Sequence, residues 1–240
     1  LSRAPITEPV IVLRHQSDAP LESILDGSGL SELGYPTGEP LTAFQARISL
    51  DKGRTLPPDT RSEQVGIQYR STDGHQIVQF RRNGFSFHRL EPYTAWEKVF
   101  PEAWTLWELY RDRLPPQMTV SRVAVRFVNR LRLPTPVANL ADFLEAPPVV
   151  PSALPQTLSA FLTRILIAEP SSGMSALVTQ ALEPQALDPY LVVLLDIDTF
   201  REGTFDPHDT LVEQTLMALR EFKNQIFFES ITDAARGLFE

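Results

Sequence analysis

The chain has 240 residues, of which 42% are hydrophobic and 22% charged, with a formal net charge of −8, a composition typical of globular proteins. It contains no cysteine, which excludes disulfides, cysteine-ligated zinc, iron–sulfur clusters and thiol nucleophiles. No stretch approaches the roughly 18–20 apolar residues of a transmembrane helix, and no signal-peptide pattern opens the chain, so we expect a cytoplasmic protein with no membrane partner.

The first 60 residues predict one clear strand followed mainly by loop. Residues 10–15 form an apolar, extended segment that is typical of a strand. Residues 17–60 carry many glycines and prolines, which favour turns and loops. Within them we expect a short helix near residues 21–25 and a strand near residues 44–50.

The next section predicts an antiparallel meander of three strands. Apolar and polar residues alternate with the period of a strand at residues 64–70. Asp73-Gly74 and Asn83-Gly84 are hairpin-turn signals. They separate two further predicted strands, at residues 75–81 and 85–89.

A helix and a strand follow the meander. Aromatic and apolar residues recur at helical spacing from Trp96 to Tyr110, and Pro101 is expected to break or restart that helix. Residues 122–133 place Val123, Val125, Phe127, Leu131 and Leu133 on one side, which predicts an antiparallel strand that is buried on one side. The polar side of this strand is basic and consists of Arg122, Arg126, Arg130 and Arg132.

The C-terminal elements are three strands and a helix. The strands are predicted at residues 161–168, 174–182 and 190–197. The chain then ends in a long amphipathic helix whose apolar stripe runs from Leu211 to Phe239.

These elements predict an α+β fold with antiparallel sheet built from two meander-plus-helix halves. The N-terminal half is residues 1–133 and contains the basic strand face. Residues 134–157 are a proline-rich linker, and residues 158–240 form an acidic C-terminal half with the long helix. We expect the three parts to form one compact unit.

Charge is distributed unevenly between these parts. Residues 61–133 carry 12 Lys and Arg against 7 Asp and Glu, whereas residues 134–240 carry 5 against 15. Two interpretations are open. Either the basic middle packs against the acidic C-terminal part of the same chain, or it offers a basic surface to an anionic partner.

Asp196 and Asp198 are the sharpest polar motif of the chain. Residues two apart on a strand point the same way, so both carboxylates face one side. Such a pair can hold a divalent cation, or it can pair with arginines across the sheet. The sequence contains no zinc-binding histidine pair, nucleophile elbow, phosphate-binding loop or dinucleotide fingerprint, so we assign no catalytic residue and expect no cofactor.

Five pieces of the chain together carry a family resemblance. They are Ala4-Pro5-Ile6 with Glu8, Leu90 with Pro92-Tyr93 and Trp96-Glu97, Arg122-Val123 with Arg126 and Asn129-Arg130, Leu195 to Asp198, and Phe228 to Phe239. In this combination the chain resembles a sporadically distributed, functionally uncharacterised family of bacterial and archaeal proteins. The resemblance implies a shared architecture but no activity, and patchy distribution is typical of accessory or defence genes.

Three functional hypotheses follow. The first is a non-enzymatic binding protein, a cytosolic adaptor or regulatory subunit that recognises another protein. The second is a nucleic-acid-binding accessory protein of a bacterial defence system of the CRISPR type, and the third is a metal-dependent phosphoryl-transfer enzyme that uses Asp196 and Asp198. The candidate binding residues are Arg122, Arg126, Asn129, Arg130, Trp96 and Glu97.

Overall fold

A computed structural model of the chain describes residues 3–16, 18–47, 50–51, 54–55, 59–93, 95–184 and 190–240. Its helices are α1 (Leu21–Ile24), α2 (Trp96–Arg111), α3 (Thr210–Ser230) and α4 (Asp233–Gly237), and a 3-10 turn lies at Leu140–Asp142. Its strands are β1 (Ile6–His15), β2 (Thr37–Arg47), β3 (Leu50–Asp51), β4 (Arg54–Thr55), β5 (Asp59–Arg70), β6 (Gln76–Arg81), β7 (Gly84–Arg89), β8 (Val120–Pro134), β9 (Leu162–Glu169), β10 (Met174–Leu182) and β11 (Tyr190–Phe205).

Within the described residues, nine strands form a single antiparallel sheet. Their order is β2-β5-β6-β7-β1-β8-β11-β10-β9, and β3 pairs with β4 in a separate two-stranded sheet. The predicted α+β class is confirmed, and so is the long C-terminal helix, which is α3. The first strand of the chain therefore lies in the middle of the sheet, between β7 and β8.

Three local predictions differ from the structure. Residues 17–60 were expected to be mostly loop, yet β2 pairs with β5 from Thr37 to Arg47, because an edge strand tolerates proline, whose missing N–H can face solvent. Helix α2 continues through Pro101, since the buried residues on either side hold it against the sheet. The C-terminal helix ends at Ser230, where Ile231 becomes extended and Thr232 caps a separate helix, α4.

Helices α2 and α3 cover one face of the sheet and divide the core into two clusters. The first cluster packs α2 and the start of α3 on Phe85, Phe127 and their neighbours. The second packs the end of α3 and α4 on Leu131, Leu195 and their neighbours. The predicted linker contributes Leu144, which is buried in the second cluster and bridges to Ile231.

A polar seam, consisting of Asn129, Thr199 and Lys223, lies between the two clusters. On β8, Asn129 separates Phe127 of the first cluster from Leu131 of the second. On α3, Lys223 lies between Leu219 of the first cluster and Ile226 of the second. All three seam residues are buried, so the two clusters are joined through polar side chains rather than through continuous apolar packing.

Candidate functional site

The face of the sheet opposite the helices carries an ion-pair ladder between β8 and the C-terminal half. Arg126 binds both carboxylate oxygens of Asp196, with Nε–Oδ1 at 2.8 Å and Nη2–Oδ2 at 2.7 Å. Arg122 Nη2 donates to Asp198 Oδ2 at 2.8 Å. Arg130 binds Glu183 through Nε–Oε1 at 2.8 Å and Nη2–Oε2 at 2.5 Å. We call these three pairs the ladder.

The ladder follows from strand register. The pairing of β8 with β11 sets Asp198 opposite Arg126 and Asp196 opposite Val128, so each carboxylate lies within reach of a guanidinium on the neighbouring strand. The basic strand and the acidic C-terminal part therefore meet inside the same sheet. The hydrogen bonds that Arg126 donates to Asp196 raise the pKa of Arg126, as expected for an ion pair.

Asp196 and Asp198 face one side, but arginines occupy them. Among the described residues, no group of three or more His, Cys, Asp or Glu could hold a metal ion. One carboxylate oxygen of the pair accepts no hydrogen bond from an arginine: Asp198 Oδ1 is buried and has no hydrogen-bond partner among the described residues. The two carboxylates thus serve mainly to neutralise the charges of Arg122 and Arg126 on β8.

The other predicted site residues lie elsewhere. Asn129 is buried in the seam, where Nδ2 donates to the carbonyls of Leu195 at 2.9 Å and Phe127 at 3.2 Å. Trp96 is buried on the helix side and stacks on Phe100 at 5.4 Å between ring centroids. Its neighbour Glu97 is exposed and accepts a bond from Arg220 at 3.3 Å. The six candidate binding residues therefore do not converge on one site.

A second polar network lies on the uncovered face beyond β8. His88 Nδ1 contacts Glu8 Oε1 at 2.8 Å, and His88 Nε2 contacts Ser86 Oγ at 3.0 Å. The hydrogen bond from His88 holds the pKa of Glu8 below its usual value. This network connects β7 to β1 and ends at a cleft that contains the side chains of Arg14 and Arg81.

The β9 edge of the sheet was not identified from the sequence as a site. Leu162, Ile165 and Leu166 are 70%, 55% and 65% exposed, which is unusual for three large apolar side chains on one short strand. Within the described part of the chain, β9 pairs with β10 and with no other strand. The signal that could have indicated the edge is the apolar run from Ile165 to Ala168, which carries no charge or proline.

No protein-family model and no curated protein matches the chain. The resemblance to the sporadically distributed family therefore stays a prediction. In the part of the chain that the structure describes, no helix is both long and apolar enough to cross a membrane.

Proposed function

We propose that the protein is a non-enzymatic, cytosolic adaptor or regulatory subunit that recognises another protein. Recognition occurs at the β9 edge, where an extended segment of the partner adds a tenth strand to the sheet. The observation that supports this most directly is the exposure of Leu162, Ile165 and Leu166 on an edge strand with no second neighbour in the described structure. Strand addition supplies main-chain hydrogen bonds for affinity and side-chain contacts for specificity.

An edge of this kind is unusual unless it is used. A free edge presents unpaired N–H and C=O groups, and proteins normally protect it with lysine, proline, bulges or a covering segment. Between Leu162 and Ala168, β9 has one charged residue, Arg164, and no proline. Its pairing with β10 is regular along its length.

The uncovered face of β9 specifies the chemistry of the partner. Leu162, Arg164 and Leu166 point to that face, because they are spaced two apart. Residues directly opposite in an antiparallel pair share a face. The partner segment should therefore carry an acidic residue opposite Arg164, flanked by apolar residues opposite the two leucines.

A second copy of the chain fits this edge less well than a different protein. The acid of β9 is Glu169, which lies on the other face from Arg164. An antiparallel copy of β9 therefore cannot place a carboxylate opposite Arg164 in any register. The edge favours a heterologous partner over self-association.

The test is a capture experiment with matched edge variants. The full chain is immobilised as wild type, as Leu162→Lys with Leu166→Lys, and as Thr42→Lys on the opposite edge. We expect the β9 variant to lose the captured partner at least tenfold, because lysine on an edge opposes strand addition, while Thr42→Lys retains it. Equal capture by all three proteins would overturn the proposal, and capture of nothing except a second copy of the chain would contradict a heterologous partner.

The same strand order supports a further interpretation of the fold. We infer that the sheet consists of two similar halves, with β5, β6, β7 and α2 in one and β9, β10, β11 and α3 in the other. The nucleic-acid and metal hypotheses also stay open as proposals. Both require the ladder to release its arginines or its carboxylates.

A further inference from the structure

A cleft of about 340 Å³ opens on the uncovered face of the N-terminal half. Its floor is the backbone of Gly84, because a Cβ there would approach the carbonyl oxygen of Leu13 to 2.3 Å. Glycine is therefore required by the close approach of β7 to β1, and it leaves an open space above the sheet.

Strand register places arginines on both sides of this space. Arg81 of β6 and Arg14 of β1 lie opposite Gly84, one on each neighbouring strand. Arg122 of β8 continues the row beyond Arg14. On its other side Arg81 faces Gly66, which also cannot carry a side chain, since a Cβ would lie 2.2 Å from the carbonyl oxygen of Phe80.

The cleft has an excess of positive charge. Four arginines line it, against one carboxylate, Asp198. Arg122 and Arg126 are committed to the ladder. Arg14 and Arg81, by contrast, form no ion pair with any described carboxylate, and Arg81 Nε donates only to Gln79 Oε1 at 2.9 Å. Burial lowers the pKa of Arg81, and the positive charge of Arg14 lowers it further, so the two guanidinium groups repel each other without a counter-ion.

The far side of the cleft offers a complementary acceptor. Asp198 lines it, and the side chain of Asp198 is 23% exposed. A carboxylate can accept several hydrogen bonds, so Asp198 can accept one from a bound molecule in addition to the bond from Arg122. The cleft therefore combines an anion-binding side with a site for a hydroxyl group.

We propose that this cleft binds a small phosphate ester, with the phosphate above Gly84 between Arg14 and Arg81 and a hydroxyl group directed to the carboxylate of Asp198. Guanidinium groups bind phosphate through paired, charge-assisted hydrogen bonds. The volume of the cleft fits one compact ligand such as a sugar phosphate. This site is separate from the β9 edge and does not depend on the proposed partner.

The experiment is calorimetric titration of the full chain with ribose 5-phosphate, inorganic phosphate and ribose at constant ionic strength. We expect ribose 5-phosphate to bind more tightly than inorganic phosphate, and ribose not to bind. Arg14→Ala and Arg81→Ala should each weaken the binding of ribose 5-phosphate at least tenfold. Arg132→Ala, on the same face but outside the cleft, should change it less than twofold.

Four results would overturn the proposal in whole or in part. Absence of phosphate binding, or binding that Arg14→Ala and Arg81→Ala leave unchanged, would refute the anion site. Equal affinity for ribose 5-phosphate and inorganic phosphate would refute the contact with Asp198. Affinity for a single-stranded oligonucleotide that rises with its length and falls steeply with salt would assign these arginines to nucleic acid instead. Melting curves of the variants that match wild type ensure that each loss reflects binding rather than unfolding.

Discussion

The two ends of the sheet differ in the protection of their outer strands and in the ion pairing of their arginines. At the N-terminal end, the outer strand β2 is protected by Pro40 and by a register shift between Leu41 and Thr42. Arg14 and Arg81, however, form no ion pair with any carboxylate in the described part of the chain. At the C-terminal end, carboxylates pair with all three ladder arginines, but the outer strand β9 exposes large apolar side chains. Among the described residues, the N-terminal end therefore has a protected outer strand but arginines outside ion pairs, and the C-terminal end has paired arginines but an unprotected outer strand.

This difference indicates where binding is to be sought. The helix-covered face packs against α2 and α3, and the ladder pairs its charges. Among the described residues, two features have no such role: Arg14 and Arg81, which form no ion pair, and the outer edge of β9, which pairs with no strand. Because proteins normally protect a free strand edge, the β9 edge is better explained by a partner than by stability.

The largest effect on the free energy of unfolding is expected from the seam between the two ends, through Lys223. Burial, together with the charge of Arg220, lowers the pKa of Lys223 to about 7. Because the unfolded amine titrates near 10.4, the unfolded state binds more protons between those values, so stability rises with pH from about 7 to about 10.4. The gain is on the order of 4 kcal/mol and is absent below pH 7, where both states are charged.

Urea unfolding of wild type and Lys223→Met across pH 6.5–10.5 measures this effect. The free energy of unfolding of wild type should rise relative to that of the variant as pH increases. Parallel curves for the two proteins would show that Lys223 is hydrated or paired, and that the two core clusters are not divided by a dry seam.

Replacement of Asn129 is expected to have the next largest effect on the free energy of unfolding. Replacement by Ala removes two hydrogen bonds to buried carbonyls and leaves a cavity between the clusters, so we expect a loss of about 2–3 kcal/mol in the free energy of unfolding. Arg132→Ala, an exposed change on the same strand, is the matched control and should cost less than about 0.5 kcal/mol. Equal free energies of unfolding for Asn129→Ala and Arg132→Ala would show that the seam does not join the two ends of the sheet.

The ladder should contribute less than the seam. Arg126 is 47% exposed, and solvent screens its pair with Asp196. A double-mutant cycle with Arg126→Met and Asp196→Asn should give a coupling energy of about 1 kcal/mol or less, decreasing with salt. A coupling well above that would mean that the ladder is a stabilising element rather than a neutral, charge-balanced surface.

The edge variants should affect stability least. Leu166 and Thr42 are both exposed, so Leu166→Lys and Thr42→Lys should each stay within about 0.5 kcal/mol of wild type in thermal unfolding. The two edges would then differ in binding while remaining equal in stability. A large loss for Leu166→Lys alone would indicate that β9 packs against the chain itself and is not a free edge.

Local sequence patterns predicted those parts of the fold that depend on neighbouring residues. Alternation at residues 122–133 correctly predicted a one-side-buried strand with arginines on its open face, as β8 shows. The stripe of α3 was equally clear. The strand predicted near residues 44–50 overlaps only the end of β2. The start of β2 was missed because Gly38 and Pro40 suggest a loop, and only its place at the sheet edge makes them acceptable.

The candidate sites depend on information that is not local. The bond from Arg126 to Asp196 spans 70 residues and requires the register of β8 with β11. The cleft requires β6, β7 and β1 to align Arg81, Gly84 and Arg14. The β9 edge is identified only by the strand order, because the same apolar run would be an ordinary core strand in the middle of a sheet.

The central claim is that β9, and not β2, is the edge at which a partner adds. Hydrogen exchange of backbone amides, measured for the free chain and for its complex with the captured partner, tests this most directly. We predict that amides of residues 162–169 gain protection in the complex while those of residues 37–47 exchange as before. Protection confined to β2, or spread over the uncovered face with β9 unchanged, would contradict it.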